Sequence, residues 1–458
     1  MASAFETRKH QLLAECEIKP KLFGGVLPRL QAFMKPFVET LVRKEQIAHA
    51  ETLVRGLLSD VAHKNVESIA YYFGQERMPL QWFVGVSDWD HQPLRKELVK
   101  QIGEGLGEAE GVIVFDPSSF PKSGRSSVGV ARQWCGRLGK TENCQVAVYM
   151  GYVASGGHAL ADTRLYLGKE WTGDRPRCQQ AGVPKRVRYR TRHQLALEML
   201  SEHGEQLPHS WIAGDDEMGR PYWFRRRLDR QKETYLLAVP SNTLIRDLDT
   251  EPPPYSGKGA YPKRPWQRVE HWKGQQAESA WQKIDVRDGE KGPLVLEAIK
   301  TRVAARTDKR QEGHEEVLVI LRYKDRDEQV VKTDYYLSNA PAQTPLSEFA
   351  RAAKAEHRIE ECLQRAKSEA GLGDYEVRNW KGWQHHQTLS LMASWFLVTE
   401  ARRGKKNHPC DYGPNASPGH RMDSAATLRM RYPRPSSVSV PTASQTQPAC
   451  APVSLETT

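Results

Sequence analysis

The chain has 458 residues, too many for one compact core, so two to four domains are expected. Its longest apolar stretch, Leu389 to Val398, is too short to span a bilayer, and MASAFETRKHQLLAE at the N-terminus lacks the apolar segment of a signal peptide. Lys and Arg outnumber Asp and Glu by 67 to 56, a formal charge of +11, which favours a polyanionic partner such as nucleic acid over a membrane.

The seven cysteines are scattered and form no CxxC pair. That spacing argues against a disulfide scaffold and a structural zinc site, and fits a reducing cytosol.

Residues 1–107 read as helical. Leu41, Ile47, Leu53, Leu57 and Leu58 recur at three- and four-residue spacing, and Ser59 or Asp60 is a candidate start for the next helix. The pattern changes at Gly111-Val-Ile-Val-Phe115, a continuous apolar run expected of a buried strand, which ends at Asp116. Strands are expected at Gln145–Val153 and Ala159–Leu167, joined through ASGGHA as a hairpin. A basic stretch, Arg175 to His193, follows, then a helix from His193 to Glu205. The short strand Trp211–Gly214 delivers Asp215, a second arginine cluster spans Arg225 to Arg230, and Tyr235–Val239 reads as a strand.

Residues 250–310, rich in Pro, Gly, Lys and Trp, are expected to be an irregular insertion. Strands return at Val317–Tyr323 and Lys332–Leu337, and a long helix covers Leu346 to Ala370 with Gly371 as its cap. A second, mostly apolar helix spans Gln384 to Arg402, and the Ser-, Pro- and Thr-rich sequence beyond residue 407 is expected to be disordered. The expected division is a helical, possibly DNA-binding segment (1–107), two parts of a catalytic core (108–245 and 331–406), an insertion between them (246–330) and a tail (407–458).

Three acidic residues stand where phosphodiester chemistry would need them. Such chemistry requires an activated hydroxyl or water and a stabilised leaving oxygen, a task suited to two Mg²⁺ ions held by carboxylates. Asp116 and Asp215 each end a short apolar strand, a rigid mount at a sheet edge. On the long helix, Ile359, Cys362, Leu363 and Ala366 form a docking stripe, with Glu360 at its border and Lys367 two turns further along the same face. Taken singly, an Asp after a strand is more often a turn former and a helical Glu more often solvated, so spacing leaves the triad a suggestion.

At these residues the chain resembles the DDE-superfamily transposases of bacterial insertion sequences. VIVFDPSSFPKSGRSSVGVARQWCGRLGKTENCQVAVYMGYV resembles the family's first-aspartate block, WIAGDDEMGR the second, and HRIEECLQRAKSEAGLGDYEVRNWKGWQHHQTLSLMASWFL the glutamate block. The blocks follow in order, with the three acids offset by 99 and 145 positions. The resemblance covers roughly residues 20–405 and implies Asp116, Asp215 and Glu360 as catalytic, metal-binding residues. It also implies an α/β fold, a ribonuclease H-like catalytic core with a β-rich insertion and an N-terminal helical domain. Pro117-Ser118 stands where the family usually has Asp-Thr, and Met218 where it has Tyr. Asp215 is preferred to Asp216 by its three-residue offset to Met218, and Glu360 to Glu361 by its spacing to Lys367.

The resemblance implies Mg²⁺ as cofactor, with Mn²⁺ able to substitute. Its implied partner is double-stranded DNA, both the element's terminal repeats and the target, bound by a homodimer in the bacterial cytoplasm at the nucleoid. Two alternatives stay open: a nuclease on the same core without strand transfer, and a catalytically impaired DNA-binding relative. Candidate DNA contacts are Lys122, Lys140, Arg186, Arg188, Arg190, Arg225, Arg226, Lys367, Arg378 and Trp380. Trp383 is a second stacking candidate, more often a core residue, and packing or hydrogen bonding is the favoured role for His385 and His386.

Overall fold

The computed structural model describes residues 25–284, 295–325 and 328–406; the tail expected to be disordered lies outside them. Among the described residues, five helices come first: α1 (Val26–Val38), α2 (Lys44–Leu57), α3 (Val66–Tyr72), α4 (Arg77–Gly85) and α5 (Gln92–Leu106). Leu41, Leu53, Leu57 and Leu58 are buried, the face that their spacing predicts. The next helix does not begin at Ser59 or Asp60. It begins after Asn65, whose side chain accepts the Ser68 amide at 2.8 Å and caps α3.

The sheet starts with β1 (Val112–Pro121), β2 (Ala131–Cys135), β3 (Lys140–Ala154) and β4 (Gly157–Leu165). β3 runs antiparallel to β1 and β4 antiparallel to β3. On the other side of β1 lie β5 (Trp211–Gly214), parallel to β1, and then β6 (Tyr235–Ala238), parallel to β5. An antiparallel meander joined to parallel strands, covered by helices, is the ribonuclease H-like α/β arrangement. The connecting helices are α6 (Lys169–Thr172), α7 (Arg175–Gln180), α8 (Arg192–His203), α9 (Asp216–Gly219) and α10 (Tyr222–Arg230).

The insertion extends the same sheet. β7 (Leu244–Asp247), β8 (Gln267–Arg268), α11 (Val269–Gly274), β9 (Gln282–Ile284), β10 (Val295–Arg306), β11 (Glu312–Lys324) and β12 (Val330–Ser338) follow, and β12 pairs antiparallel with β6. The segment expected to be irregular up to residue 310 therefore contains a twelve-residue strand, β10. Ala298 faces the main core while Ile299, Val303 and Ala305 enter a second apolar cluster with Trp272 and Trp281. Burial on both faces removes the polar alternation by which a strand is recognised.

Two long helices close the fold, α12 (Leu346–Glu369) and α13 (Trp380–Lys406). α12 packs across β1, β3, β4 and β5, and α13 wedges between β4 and helices α2, α4 and α5. Gly371 ends α12 at a φ of 62°, with the Leu372 amide reaching back to the Ala366 carbonyl at 3.0 Å. One apolar cluster runs from the N-terminal helices through the sheet to α13. Across it, buried Arg95 of α5 bonds Thr388 (2.9 Å) and Gln384 (2.7 Å) of α13, and lies 3.4 Å from buried Asp162 of β4. Among the described residues, no helix is long and apolar enough to cross a membrane.

Candidate active site

The apolar runs of β1 and β5 pair in register up to Phe115 opposite Gly214, so Asp116 and Asp215 follow side by side; Asp215 stands just past the end of β5, whereas Asp116 lies inside β1, which continues to Pro121 beside β3 rather than ending at the acid as expected. Both are half-buried. Asp215 also caps α9, its Oδ1 accepting the Met218 amide at 2.9 Å. That tight turn needs Gly214: a Cβ there would lie 2.9 Å from Met218 Cβ and 3.1 Å from the Phe115 carbonyl. The third acid is set by a close approach of α12 to β3. Ile359 packs directly onto Gly151, where a Cβ would come within 2.3 Å of Ile359 Cδ1.

Charge in this corner is poorly compensated. Burial raises the Asp116 pKa well above the carboxylate range, and Asp215 and Glu360 add to the rise. Asp215 is pushed up to about 7 by burial, against the Met218 amide and Arg192, with Glu217 and Asp216 adding to the rise. Glu360 goes the other way: its side chain is exposed, and His357 Nδ1 lies 3.5 Å from its Oε2 and lowers its pKa. Lys367 is the cation beside Asp116, as Arg192 is beside Asp215. Its Nζ donates to Ser118 Oγ at 2.8 Å, lies 5.2 Å from the Phe120 ring centre, and has its pKa lowered by burial against the pull of Asp116.

A fourth carboxylate, not singled out from the sequence, joins them. Glu356 lies one helical turn before Glu360, and burial raises its pKa far above normal, with Asp215, Glu360, Asp334 and Asp116 adding to the rise. The four-residue offset from Glu360 on a helix face was the available signal. The rivals of the chosen acids are engaged elsewhere. Asp216 is exposed and pairs with Arg220 at 3.1 Å, Glu217 takes Arg192 at 2.6 Å, and Glu361 pairs with Arg358 at 3.3 Å.

An all-oxygen donor set with mutual repulsion fits a hard divalent cation. A second acidic group, Asp162, Glu202 and His203, brings its ligand atoms within 4.8 Å of one another. It does not need a metal: Arg95 and Arg164 already pair with Asp162, and Arg164, His203 and Arg95 hold its pKa low despite burial.

The candidate DNA contacts divide. Arg186, Arg188 and Arg190 are exposed and line a cavity of about 270 Å³ with half-buried Trp380 and with Arg95 and Arg164. Arg190 also pairs with Glu198 at 2.6 Å. Lys140 is exposed beside Glu142 at 3.3 Å, Arg226 pairs with Asp229, and Arg378 is exposed. Arg225 does not face DNA. It is buried, its Nε donating to Glu316 Oε1 at 2.7 Å, an oxygen that also accepts Tyr235 Oη at 2.7 Å. Lys122 is turned inward, donating to the Tyr375 carbonyl at 3.0 Å and lying 3.6 Å from that ring's centre. Trp383 is fully buried, so it is a core residue. His385 and His386 are hydrogen-bonded in the core, to the Val84 carbonyl (2.9 Å) and the Gly371 carbonyl (2.9 Å).

Comparison with known proteins gives three findings. The family model described as DDE superfamily endonuclease matches residues 36–293. A protein of Microchaete diplosiphon described as "Probable transposase for insertion sequence element IS701" is 33% identical over 198 residues, 42% of this chain and 49% of that protein. The chain thus spans about half the length of that relative. Among solved structures, a piggyBac transposase synaptic complex with hairpin DNA is similar at a TM-score of 0.38 and 12% identity, over 80% of this chain and 66% of that one.

Proposed function

Since the chain belongs to the DDE superfamily of endonucleases, we propose that it is a transposase that cleaves DNA at the ends of an insertion element and joins the freed 3′-hydroxyls to target DNA. Asp116, Asp215 and Glu360 form its catalytic, metal-binding triad. The observation that carries this reading is the convergence of these acids from two neighbouring parallel strands and a docked helix, with pKa values of both aspartates raised by burial and repulsion. These three residues, with Glu356 beside them, would hold divalent cations, Mg²⁺ or in its place Mn²⁺. Bound there, the cations would supply the charge that polarises the phosphodiester and activates the attacking oxygen.

The rest is the work of the chain's own residues. The paired strands β1 and β5 keep two carboxylates in register, and α12 sets the third. Lys367, held by Ser118 beside Asp116, places a positive charge where a DNA phosphate would approach. The exposed arginines 186, 188 and 190 supply a track for the phosphate backbone. The partners are double-stranded DNA, as terminal repeats and as target, engaged by a homodimer that holds both ends together in the bacterial cytoplasm at the nucleoid.

Asp116→Asn tests the site. Strand cleavage is expected to be abolished while DNA binding, measured by gel shift, stays within about twofold of the parent. Cleavage at the parental rate by that variant would defeat the assignment. Incubating the parent with Mg²⁺ and element-end DNA is expected to yield joined products; cleavage without them would mark a nuclease.

A further inference from the structure

We propose that the hairpin of β2 and β3 presents Trp134 as a stacking platform for an unpaired nucleobase of the DNA held at the carboxylate site; this rests on the reading of that site given above. Trp134 is 56% exposed, although a tryptophan is costly to leave in water. It sits on β2, where side chains alternate: Arg132 and Trp134 point outward, Gln133 is half-buried and Cys135 is buried.

The inward residues tie this hairpin to β1 beyond Asp116 and to the turn that follows Asp215. Cys135 Sγ donates to Ser119 Oγ at 3.3 Å, and the Arg137 amide reaches the same hydroxyl at 3.4 Å, three residues beyond Asp116. Gln133 Oε1 accepts from Arg192 Nη2 at 3.2 Å, and Arg192 grips both oxygens of Glu217 at 2.6 and 2.7 Å, two residues beyond Asp215. Gln133 Nε2 also donates to the Cys144 carbonyl at 3.0 Å. The strand under Trp134 is therefore anchored beside the site, and the indole is turned to the outside.

The surroundings choose the occupant. Exposed Arg132, Arg137 and Lys140 lie on the same hairpin, within six residues of Trp134, with Leu138 also exposed. An aromatic face among cations suits a polyanion with π-faces, which is a nucleic-acid strand with an accessible base. A fully paired duplex offers a base face only at an end or an opened step, so the platform would favour DNA unpaired next to the cleaved bond.

The test uses the full chain without divalent metal, so that no strand is cut. The probes are a forked DNA duplex with a fluorescent purine analogue at the fork and the same duplex fully paired. The parent is expected to quench the analogue and to bind the fork more tightly. Trp134→Ala should lose the quenching and about tenfold in fork affinity while keeping its affinity for paired duplex, and Trp134→Phe should keep most of both. Equal binding of fork and duplex by parent and Trp134→Ala would overturn the proposal. So would a change confined to self-association in sedimentation, which would make the face a contact between copies. Because the readout is metal-free binding, it is separate from the Asp116→Asn cleavage test, and either reading can fail while the other is measured.

Discussion

Asp215 and Asp216 are neighbours with opposite surroundings. The first is half-buried beside Asp116 with its pKa near 7, and the second is exposed against Arg220. Asp215→Asn is expected to lower single-turnover DNA cleavage by about a hundredfold or more, whereas Asp216→Asn should stay within about threefold. The same contrast is expected between Glu360→Gln and Glu361→Gln. Glu356 gives a different signature. Its carboxylate is raised far above its normal pKa by burial and by three acidic neighbours of the site, so its charged form works against the metal-free fold. Glu356→Gln is expected to raise the melting temperature in EDTA by roughly 2 °C, and equal or lower melting would contradict the repulsion described here.

At the scale of elements, the position of Glu360 depends on how α12 sits on β3. Gly151 is the seat, with Ile359 so close that any side chain must push the helix away. Gly151→Val is expected to cost about 1–3 kcal/mol of stability, read by chemical denaturation. Cleavage should fall more steeply than DNA affinity, because the displaced helix carries a carboxylate and a lysine of the site. An unchanged cleavage rate at reduced stability would show that α12 is not what positions Glu360. Element type was largely legible in the sequence: the apolar runs into Asp116 and Asp215 are strands, and the Ile359–Ala366 stripe is buried on α12. β10 was not legible, because its alternation is lost when both faces are buried. The Asn65 cap was missed because a local cap signal occurs at several nearby residues, and only the packing of α3 selects one.

For the whole molecule, charge and buried imidazoles set two responses. A net charge of +11 with clustered surface arginines predicts that DNA affinity falls steeply and linearly in a plot of log affinity against log salt. A flat plot would exclude phosphate contacts as the main source of binding. Stability should also depend on pH. Burial lowers the pKa of both His385 and His386 from 6.5 to about 4. The unfolded chain then binds protons first, so this contribution is whole above pH 6.5 and is lost as pH falls toward 4. Denaturation midpoints measured across that window should drop, and His386→Gln should flatten part of the slope. No change between those pH values would show that the two rings are not held neutral.

By itself, the sequence determined that apolar strand runs lead into Asp116 and Asp215, the amphipathic helix bearing Glu360 and Lys367, and the ordered blocks that mark the family. Those features are written in neighbouring residues, through apolar runs, helical periodicity and spacing. That β1 continues past Asp116 to Pro121 was decided by its pairing with β3. Tertiary structure alone decided which charges remain available. Arg225 lies in the core with Glu316, Lys122 is folded over Tyr375, Glu356 joins the carboxylates, and Trp134 stays outside on an anchored hairpin. The partners of these side chains lie up to 253 residues away along the chain, as for Lys122 and Tyr375. Burial and pairing at such distances are set by packing, which no local pattern encodes.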